Sequence, residues 1–455
     1  MMLLGITAWS HFTSRPVHDL DFPVHTALRV VERTMEAREG ARDATWPERA
    51  LLWLSGDSPD DPPTELADIY RDALSATERE PATNNYSSWI QAHLIVLLGE
   101  AGATNDLTAE LRNYEHRWPD TDFAPAVRFA YLGDDRALAG RNAEQAPNYL
   151  SEGWTRDRFT ARLAAREGRA GEAAHIDTEM RARGQRLRWR AMWCEGTILV
   201  LAFGGVAVTV FSLFKSGLRL SAGPDATLGP WPFRDGWGAA FAGFVCGAGL
   251  ATALSLPGWR WADWVVRHLH SLFMFAPVLL FLTPLLLRPW ALSFGKQFGL
   301  AARHCAFTTI AGGGLALVGL GFACFLLVMT VSAAAGVEGN WTEGISEDLL
   351  HGTTFVRAVT LLNMAVVAPV FEELVFRGIL YGTLRSRFSV LPAALISSAL
   401  FGLGHFYSLP GLVDVTWFGF VSALIYERTR SLAPCMAGHM LMNLTIGIME
   451  LAVLG

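Results

Sequence analysis

Apolar residues are distributed differently in the two halves of the chain, and the change falls near residue 195. Residues 1–194 mix charged residues with short apolar runs, whereas residues 196–455 hold most of the long apolar runs. A helix needs about 20 apolar residues to cross a membrane. Eight stretches come close to or exceed that length, namely 196–214, 238–256, 271–287, 305–337, 355–376, 390–406, 412–426 and 432–453. Because backbone polar groups in lipid must be satisfied internally, the pattern predicts an all-α, polytopic membrane helix bundle of about eight transmembrane helices.

The predicted domain boundary lies between residues 194 and 195, so a soluble helical domain precedes the transmembrane domain. The stretch 305–337 is long enough either to cross with tilt or to break into two pieces. The segment 55–63 is rich in Asp and Pro and predicts a loop.

Three turn-like stretches recur in the N-terminal half, centred on Gly99, Gly133 and Gly168. Their spacing is about 34 residues, which is typical of tetratricopeptide-type helix pairs that bury their apolar faces against their neighbours. Three evenly spaced glycines at helix ends would give the same pattern. The favoured interpretation is a helical-repeat domain that binds a protein or peptide partner.

Composition supports a membrane protein and excludes several functional classes. The chain has 455 residues, of which 51% are hydrophobic and 18% are charged, below the roughly 25% charged residues of soluble domains. A net charge of −6 argues against a nucleic-acid partner. The five cysteines are odd in number and widely spaced, so we expect neither a disulfide framework nor a cysteine metal site. The short apolar patch at the N-terminus lacks a preceding basic segment, which argues against a cleaved signal peptide.

The positions of basic residues predict an orientation but also conflict with one another. Five arginines precede the first span, at 181, 183, 186, 188 and 190. The positive-inside rule places them, and the N-terminal domain, in the cytoplasm. The preference for arginine over lysine suggests a bacterial protein, and hence the inner membrane. A simple count of spans puts Arg288, Lys296 and Arg303 outside. A re-entrant or split segment would remove the conflict. The side of the membrane on which the other loops lie is left unassigned.

Ionisable residues inside the apolar stretches are the best functional candidates, because each costs about 2.5–3.5 kcal/mol on insertion scales. In the stretch NMAVVAPVFEELVFRGILYG, Glu373 and Arg377 lie four residues apart, so they share a helix face in the favourable order. Glu372 points about 100° away. The spacing predicts that Arg377 neutralises Glu373, whereas Glu372 faces another group. Pro369 should bend this helix or free a carbonyl near residue 365. The alternative is a helix end at the interface, with all three charges extending to water.

Two further apolar stretches carry polar residues. His405 ends the run ISSALFGLGHF, and His439 and Asn443 lie on one helix face in APCMAGHMLMNLTIG. Interhelical hydrogen bonding explains such residues equally well when each is taken alone. The intervals from Glu372 to His405 and from His405 to His439 each fit one helix and a return, which could bring the groups to a similar depth.

These residue types together are suited to peptide-bond hydrolysis. A carboxylate beside an imidazole can position and deprotonate a water molecule. A second imidazole and a carboxamide can donate hydrogen bonds to a developing oxyanion. The combination predicts amide hydrolysis without a covalent intermediate.

The three motifs also resemble those of a known family. EELVFR (372–377) fits EExxxR, FGLGH (401–405) fits FxxxH, and HMLMN (439–443) fits HxxxN. This trio resembles the CAAX-processing and bacteriocin-processing family of intramembrane endopeptidases, the type II CAAX proteases or ABI family. The resemblance covers roughly residues 355–450, which would be the protease core, and does not extend to the N-terminal half.

The resemblance implies a glutamate-dependent peptidase site within the membrane. Under it, Glu372 would activate water together with His405, and His439 and Asn443 would form the oxyanion hole. No cofactor or metal is expected. The substrate would be a peptide or protein at the membrane, with the lipid bilayer as the other partner.

In the same resemblance, Glu373 and Arg377 would brace the site. The sequence contains no HExxH, GxGD or GxSxG motif, which excludes the corresponding zinc, aspartyl and serine sites. A zinc-dependent intramembrane metalloprotease remains open, because Glu372, His405 and His439 are legitimate zinc donors. A non-enzymatic membrane scaffold or transporter also remains open, with the same residues as a proton relay or as hydrogen bonds between helices.

Overall fold

The computed structural model describes residues 17, 20–46, 48–49, 63–79, 84–137, 143–216, 228–254, 265, 268–301, 306–337 and 339–455. The described residues form helices and connecting turns, and no strand occurs among them. The chain divides into two compact units, whose main segments are Met1–Trp193 and Cys194–Leu451.

The described part of the N-terminal unit is built from short helices that pack in sequence order. They are α1 (Pro23–Gly40), α2 (Thr64–Arg79), α3 (Asn84–Glu100), α4 (Thr104–Arg117), α5 (Phe123–Val127), a 3-10 turn (Ala143–Tyr149) and α6 (Trp154–Arg166). Helix α2 packs against both α1 and α3, and α3 packs against α4. The boundary between the two units falls within α7 (Ala170–Ser216).

The predicted turns of the N-terminal half occur, with one correction. Gly133 and Gly168 have φ of 73° and 80°, the left-handed conformation that favours glycine. In the first stretch the left-handed residue is Gly102, with φ of 68°. Gly99 instead lies inside α3, where a Cβ atom would come within 2.8 Å of the Tyr131 ring. The tetratricopeptide interpretation stays a prediction. The predicted loop at 55–63 lies outside the described residues except for Pro63.

The predicted polytopic helical bundle is confirmed. Seven helices in the described part of the chain are long and apolar enough to cross a membrane. They are α7, α8 (Phe233–Leu254), α9 (His270–Trp290), α11 (Phe307–Ala335), α13 (Thr354–Leu384), α15 (Leu409–Thr429) and α16 (Ala433–Val453). The remaining predicted stretch forms α14 (Val390–Leu403), which is apolar but shorter. Short helices α10 (Phe294–Gln297) and α12 (Glu347–His351) lie in the connections.

The long apolar stretch at 305–337 forms a single helix rather than two pieces. Helix α11 ends at Gly336, which has φ of 64° and donates to the carbonyl of Ala333. In the middle of the helix, Gly319 lies so close to Gly205 of α7 that a Cβ atom would come within 2.4 Å of the Gly205 Cα. Small residues permit this close approach between apolar helices. Cys305 lies outside the described residues.

Helix α13 departs from regular α-helical geometry at two wide, π-helical segments. The first, Asn363–Val367, comes just before Pro369. Proline has no amide hydrogen to donate to the carbonyl four residues earlier, so the helix widens there. The second segment, Glu373–Tyr381, contains the buried Glu373 and Arg377. Wide turns of this kind are frequent at functional sites.

Candidate active site

Glu373 and Arg377 form a buried ion pair on α13. Their side chains are 0% and 1% exposed, and Arg377 Nη1 lies 3.1 Å from Glu373 Oε1. The Arg377 guanidinium also lies over the Phe401 ring of α14, 4.3 Å from its centroid. An aromatic face attracts a desolvated cation, so Phe401 adds to the stabilisation of this arginine. The snorkelling alternative is wrong for Glu373 and Arg377, because neither side chain reaches water.

Two further helices supply hydrogen bonds to the Glu373 carboxylate. Ser422 of α15 donates its hydroxyl to Glu373 Oε2 over 2.7 Å. His439 Nδ1 of α16 lies 3.0 Å from Glu373 Oε1. An ionised carboxylate only accepts hydrogen bonds, so this contact requires the proton on Nδ1. Glu373 therefore joins α13, α15 and α16 at one point.

His439 lies close to both Glu373 and its neighbour Glu372. The other ring nitrogen, Nε2, lies 3.8 Å from Glu372 Oε2, and the Glu372 side chain is 13% exposed. This distance is longer than a hydrogen bond. The two adjacent glutamates thus have different surroundings, because one is enclosed by donors whereas the other keeps some exposed surface beside an imidazole.

His405 lies in the turn that follows α14, next to this cluster. Its Nδ1 is 2.8 Å from the carbonyl oxygen of Phe401, which can only accept. In the neutral ring, Nε2 is then the nitrogen with a free lone pair. The Phe401 ring lies between the two imidazoles, with centroids 4.8 Å from His405 and 6.1 Å from His439.

Asn443 lies one turn after His439 on α16 but has a different partner. Its side-chain amide donates to the carbonyl of Met364 over 2.8 Å. Met364 belongs to the first wide segment of α13, where backbone carbonyls lose their regular helical donors. One amide hydrogen of Asn443 therefore binds α13.

The structure brings Glu372, Glu373, Arg377 and His439 into one cluster, with His405 adjoining it through Phe401. Ser422 belongs to the same cluster, although sequence reasoning did not identify it. The available signal was a single serine in the apolar run GFVSALIY. Among the described residues, no group of three or more His, Cys, Asp or Glu side chains is arranged to hold a metal ion.

Comparisons with known proteins agree with the motif resemblance. The profile of the family "Type II CAAX prenyl endopeptidase Rce1-like" matches residues 354–445. The chain is 32% identical over 132 residues to "Putative membrane peptidase YdiL" of Bacillus subtilis (strain 168). That alignment covers 28% of this chain and 54% of the relative, so the chain spans about half of the relative's length. No solved structure matches the chain. The resemblance to type II CAAX endopeptidases predicted from the three motifs is therefore confirmed for residues 354–445.

Proposed function

We propose that this protein is an intramembrane endopeptidase in which Glu372 activates water to hydrolyse a peptide bond. The observation that carries the proposal is the difference between the two adjacent glutamates. Glu373 is fully buried and paired with Arg377, whereas Glu372 is partly exposed beside His439. A paired, enclosed carboxylate is a poor base, because its negative charge is already stabilised. Glu372 is therefore the carboxylate available to a water molecule.

The proposed reaction needs only the side chains of this cluster together with Asn443. Glu372 takes a proton from water, with His405 Nε2 orienting the same water, and the hydroxide attacks the peptide carbonyl. A protonated His439 can donate Nδ1–H to Glu373 and Nε2–H to the oxyanion. Asn443 can offer its second amide hydrogen. Glu372 then returns its proton to the leaving amine, so no covalent intermediate forms.

Glu373 and Arg377 have a positioning role in this proposal. They contact His439, which would donate to the oxyanion, and Phe401, which contacts His405. Preorganised donors lower the barrier because they need no reorientation during the reaction.

The substrate class and the cellular placement belong to the same proposal. The substrate is a peptide or protein segment within or at the membrane, because the cluster lies on membrane-length helices. We place the protein in the bacterial inner membrane, with the N-terminal helical unit in the cytoplasm, where it binds a protein partner. An Asn105→Cys variant, compared with the parent protein, should stay protected from an impermeant thiol reagent in intact cells. Labelling in intact cells would reverse this orientation.

The activity can be tested with the purified full chain in detergent micelles and a library of internally quenched peptides. We expect cleavage that incorporates one ¹⁸O atom from labelled water into the new carboxyl group. Hydroxylamine should trap no acyl-enzyme. Glu372→Gln is the matched inactive variant.

The same assay separates the competing functions. Stoichiometric zinc, with activity lost on chelation and restored by zinc, would establish the metalloprotease instead. A fully folded protein that cleaves no peptide of the library, also after reconstitution into lipid, would favour the scaffold or transporter.

A further inference from the structure

The turn that carries His405 has an unusual backbone. Phe406, the next residue, has φ of 55°, a left-handed conformation that costs free energy for a residue with a side chain. Such strain persists only where surrounding structure enforces it. Tyr407 follows, with its ring 5.6 Å from the His405 ring, and Phe401 lies 4.8 Å away. His405 thus contacts two aromatic rings, one from the preceding helix and one from the turn itself.

A carboxylate from a distant segment binds the end of this turn. Glu343, in the connection between α11 and α12, accepts from the Ser408 amide over 2.6 Å and from the Ser408 hydroxyl over 3.0 Å. Ser408 is the N-cap residue immediately before α15, where a serine side chain usually caps its own helix. Here the hydroxyl bonds to Glu343 and makes no capping bond. The negative charge at the N-terminus of α15 is also favourable to the helix dipole.

Glu343 and Tyr407 both pack closely against Gly411 in the first turn of α15. A Cβ atom at Gly411 would come within 2.7 Å of Glu343 Oε2 and 2.8 Å of Tyr407 Cβ. Glycine is therefore required where Glu343, Tyr407 and the first turn of α15 meet. The carboxylates of Glu343, Glu372, Asp414 and Glu450 also lie within electrostatic range of Tyr407. Together with burial, which is the larger cause, they raise the pKa of that phenol above its ordinary value.

The segment around Glu343 has a second attachment that does not involve the turn. Ser346 donates its amide to Glu450 Oε1 of α16 over 2.6 Å. The two carboxylates thus hold the same connection, but only Glu343 contacts the residues that follow His405. This difference supplies a matched control.

We propose that Glu343 is a positioning residue that holds the 405–408 turn and thereby fixes the His405 imidazole for the reaction. The inference rests on the proposed function, in which His405 orients the attacking water. Glu343 acts through Ser408 and Tyr407 and does not contact the reacting atoms. Its loss should lower kcat and leave KM nearly unchanged, because the substrate is still bound while His405 is misplaced.

The test measures kcat and KM on the peptide that the parent protein cleaves best, using the full chain in detergent. Glu343→Gln should lower kcat by about 10- to 100-fold, the effect expected from a displacement of roughly 1 Å. Gly411→Ala should have the same effect, because its methyl group displaces Glu343 and Tyr407. Glu450→Gln should keep the parent kcat.

A double-mutant cycle separates positioning from general stabilisation. In a His405→Ala background, Glu343→Gln should cause no further fall in kcat, because the group that it positions is already absent. Equal effects in both backgrounds, or parent-like kcat for both Glu343→Gln and Gly411→Ala, would overturn the inference. If Glu343→Gln fails to fold, Gly411→Ala is measured in the same two backgrounds.

The Glu372→Gln variant is measured alongside. Its retention of turnover would contradict the proposed function itself. An inactive Glu372→Gln combined with unaffected Glu343 and Gly411 variants would remove only the positioning role.

Discussion

Two fully buried carboxylates in the membrane unit, Glu373 and Glu427, have similar numbers of partners but very different networks. Glu427 of α15 accepts from Tyr381 Oη at 2.8 Å, Arg385 Nε at 3.0 Å and Arg430 Nη2 at 3.0 Å. Glu373 is paired with one arginine and also contacts a serine hydroxyl and an imidazole. Both carboxylates are 0% exposed.

The difference lies in what the partners can do. Arginine stays protonated in proteins, and a tyrosine beside a carboxylate keeps its proton, so these partners of Glu427 are fixed donors. The His439 partner of Glu373 has two ring nitrogens, and the second one faces Glu372. A buried ion pair alone is weak support for either stability or function. What distinguishes the Glu373 network is its connection, through an imidazole ring, to a second carboxylate that is partly exposed.

The largest expected effect that separates the two networks is on the reaction rate. Glu372→Gln keeps the shape of the side chain but removes its basicity, so kcat should fall by about 10²- to 10⁴-fold. The fold should survive, because an amide is cheaper to bury than a carboxylate. Glu427→Gln is the control, and its folded fraction should keep the parent kcat while its melting temperature falls. Single-turnover kinetics and circular dichroism measure the two quantities.

Near-normal turnover by Glu372→Gln would show that this carboxylate is not the base. A rate loss in Glu427→Gln as large as that in Glu372→Gln would remove the functional distinction between the networks.

The second effect is on stability and compares one arginine from each network. Arg377→Ala leaves Glu373 buried without its cation, which should cost about 3–5 kcal/mol. Arg385→Ala should cost only about 1–2 kcal/mol, because Arg385 is 22% exposed and Glu427 retains Arg430 and Tyr381. Thermal unfolding in detergent measures both. Equal losses of stability would mean that the remaining partners compensate for a missing arginine to the same extent in both networks.

The helices of the membrane unit could be predicted from sequence because the physical rule is simple. A membrane-length apolar run must be helical, and each of the eight stretches overlaps an observed helix. The Glu373–Arg377 pair could be predicted for a similar reason, because its four-residue spacing is a local property of one helix.

The contacts between helices could not be read from the sequence. Ser422 and Met364 contact site residues from other helices, and Glu343 contacts Ser408 from a connection. Local periodicity does not reveal which faces meet. The bond from Asn443 to Met364 depends on a wide turn in α13, and helix propensity does not indicate such turns. The role of Gly102 in place of Gly99 was missed because two glycines lie three residues apart.

A third buried carboxyl group, Glu32, lies in the N-terminal unit, and its hydrogen-bond donors are neutral. It accepts from the amide and hydroxyl of Thr155, and burial raises its pKa from 4.5 to about 7. Nearby, His93 contacts Ser151, and burial lowers its pKa from 6.5 to about 4. Glu32 binds the first turn of α6, and His93 binds the segment that leads into it.

Their contributions to stability have opposite pH dependence. Glu32 stabilises the fold below pH 4.5, and this contribution is lost as pH rises through 7. His93 stabilises it above pH 6.5, and this is lost as pH falls through 4. Between pH 4.5 and 6.5 the parent protein should therefore show a nearly flat profile.

Substituting one of these two residues should expose the pH-dependent stability contribution of the other. Glu32→Gln should become less stable on acidification from pH 6.5 to 4, by about 3 kcal/mol at 1.36 kcal/mol per pKa unit. His93→Gln should become more stable over a similar range. Hydrogen exchange of the Trp154–Arg166 amides in the full chain, corrected for intrinsic pH dependence, measures both. Two flat profiles would contradict the assignment of these shifts to burial.

The smallest effect on the reaction rate comes from deleting one neutral hydroxyl from each network. Ser422→Ala removes the 2.7 Å bond to Glu373, and Tyr381→Phe removes the 2.8 Å bond to Glu427. Each loss should cost about 1.5–3 kcal/mol, because the acceptor is charged and buried. The rates should nevertheless differ. With one donor gone, the Glu373 carboxylate can rotate, and His439 moves with it because its Nδ1 is bound there. Ser422→Ala should therefore lower kcat several-fold, whereas Tyr381→Phe changes only the melting temperature. If both variants lose stability and neither loses rate, the orientation of Glu373 does not matter to the reaction, and its network is structural in the same sense as that of Glu427.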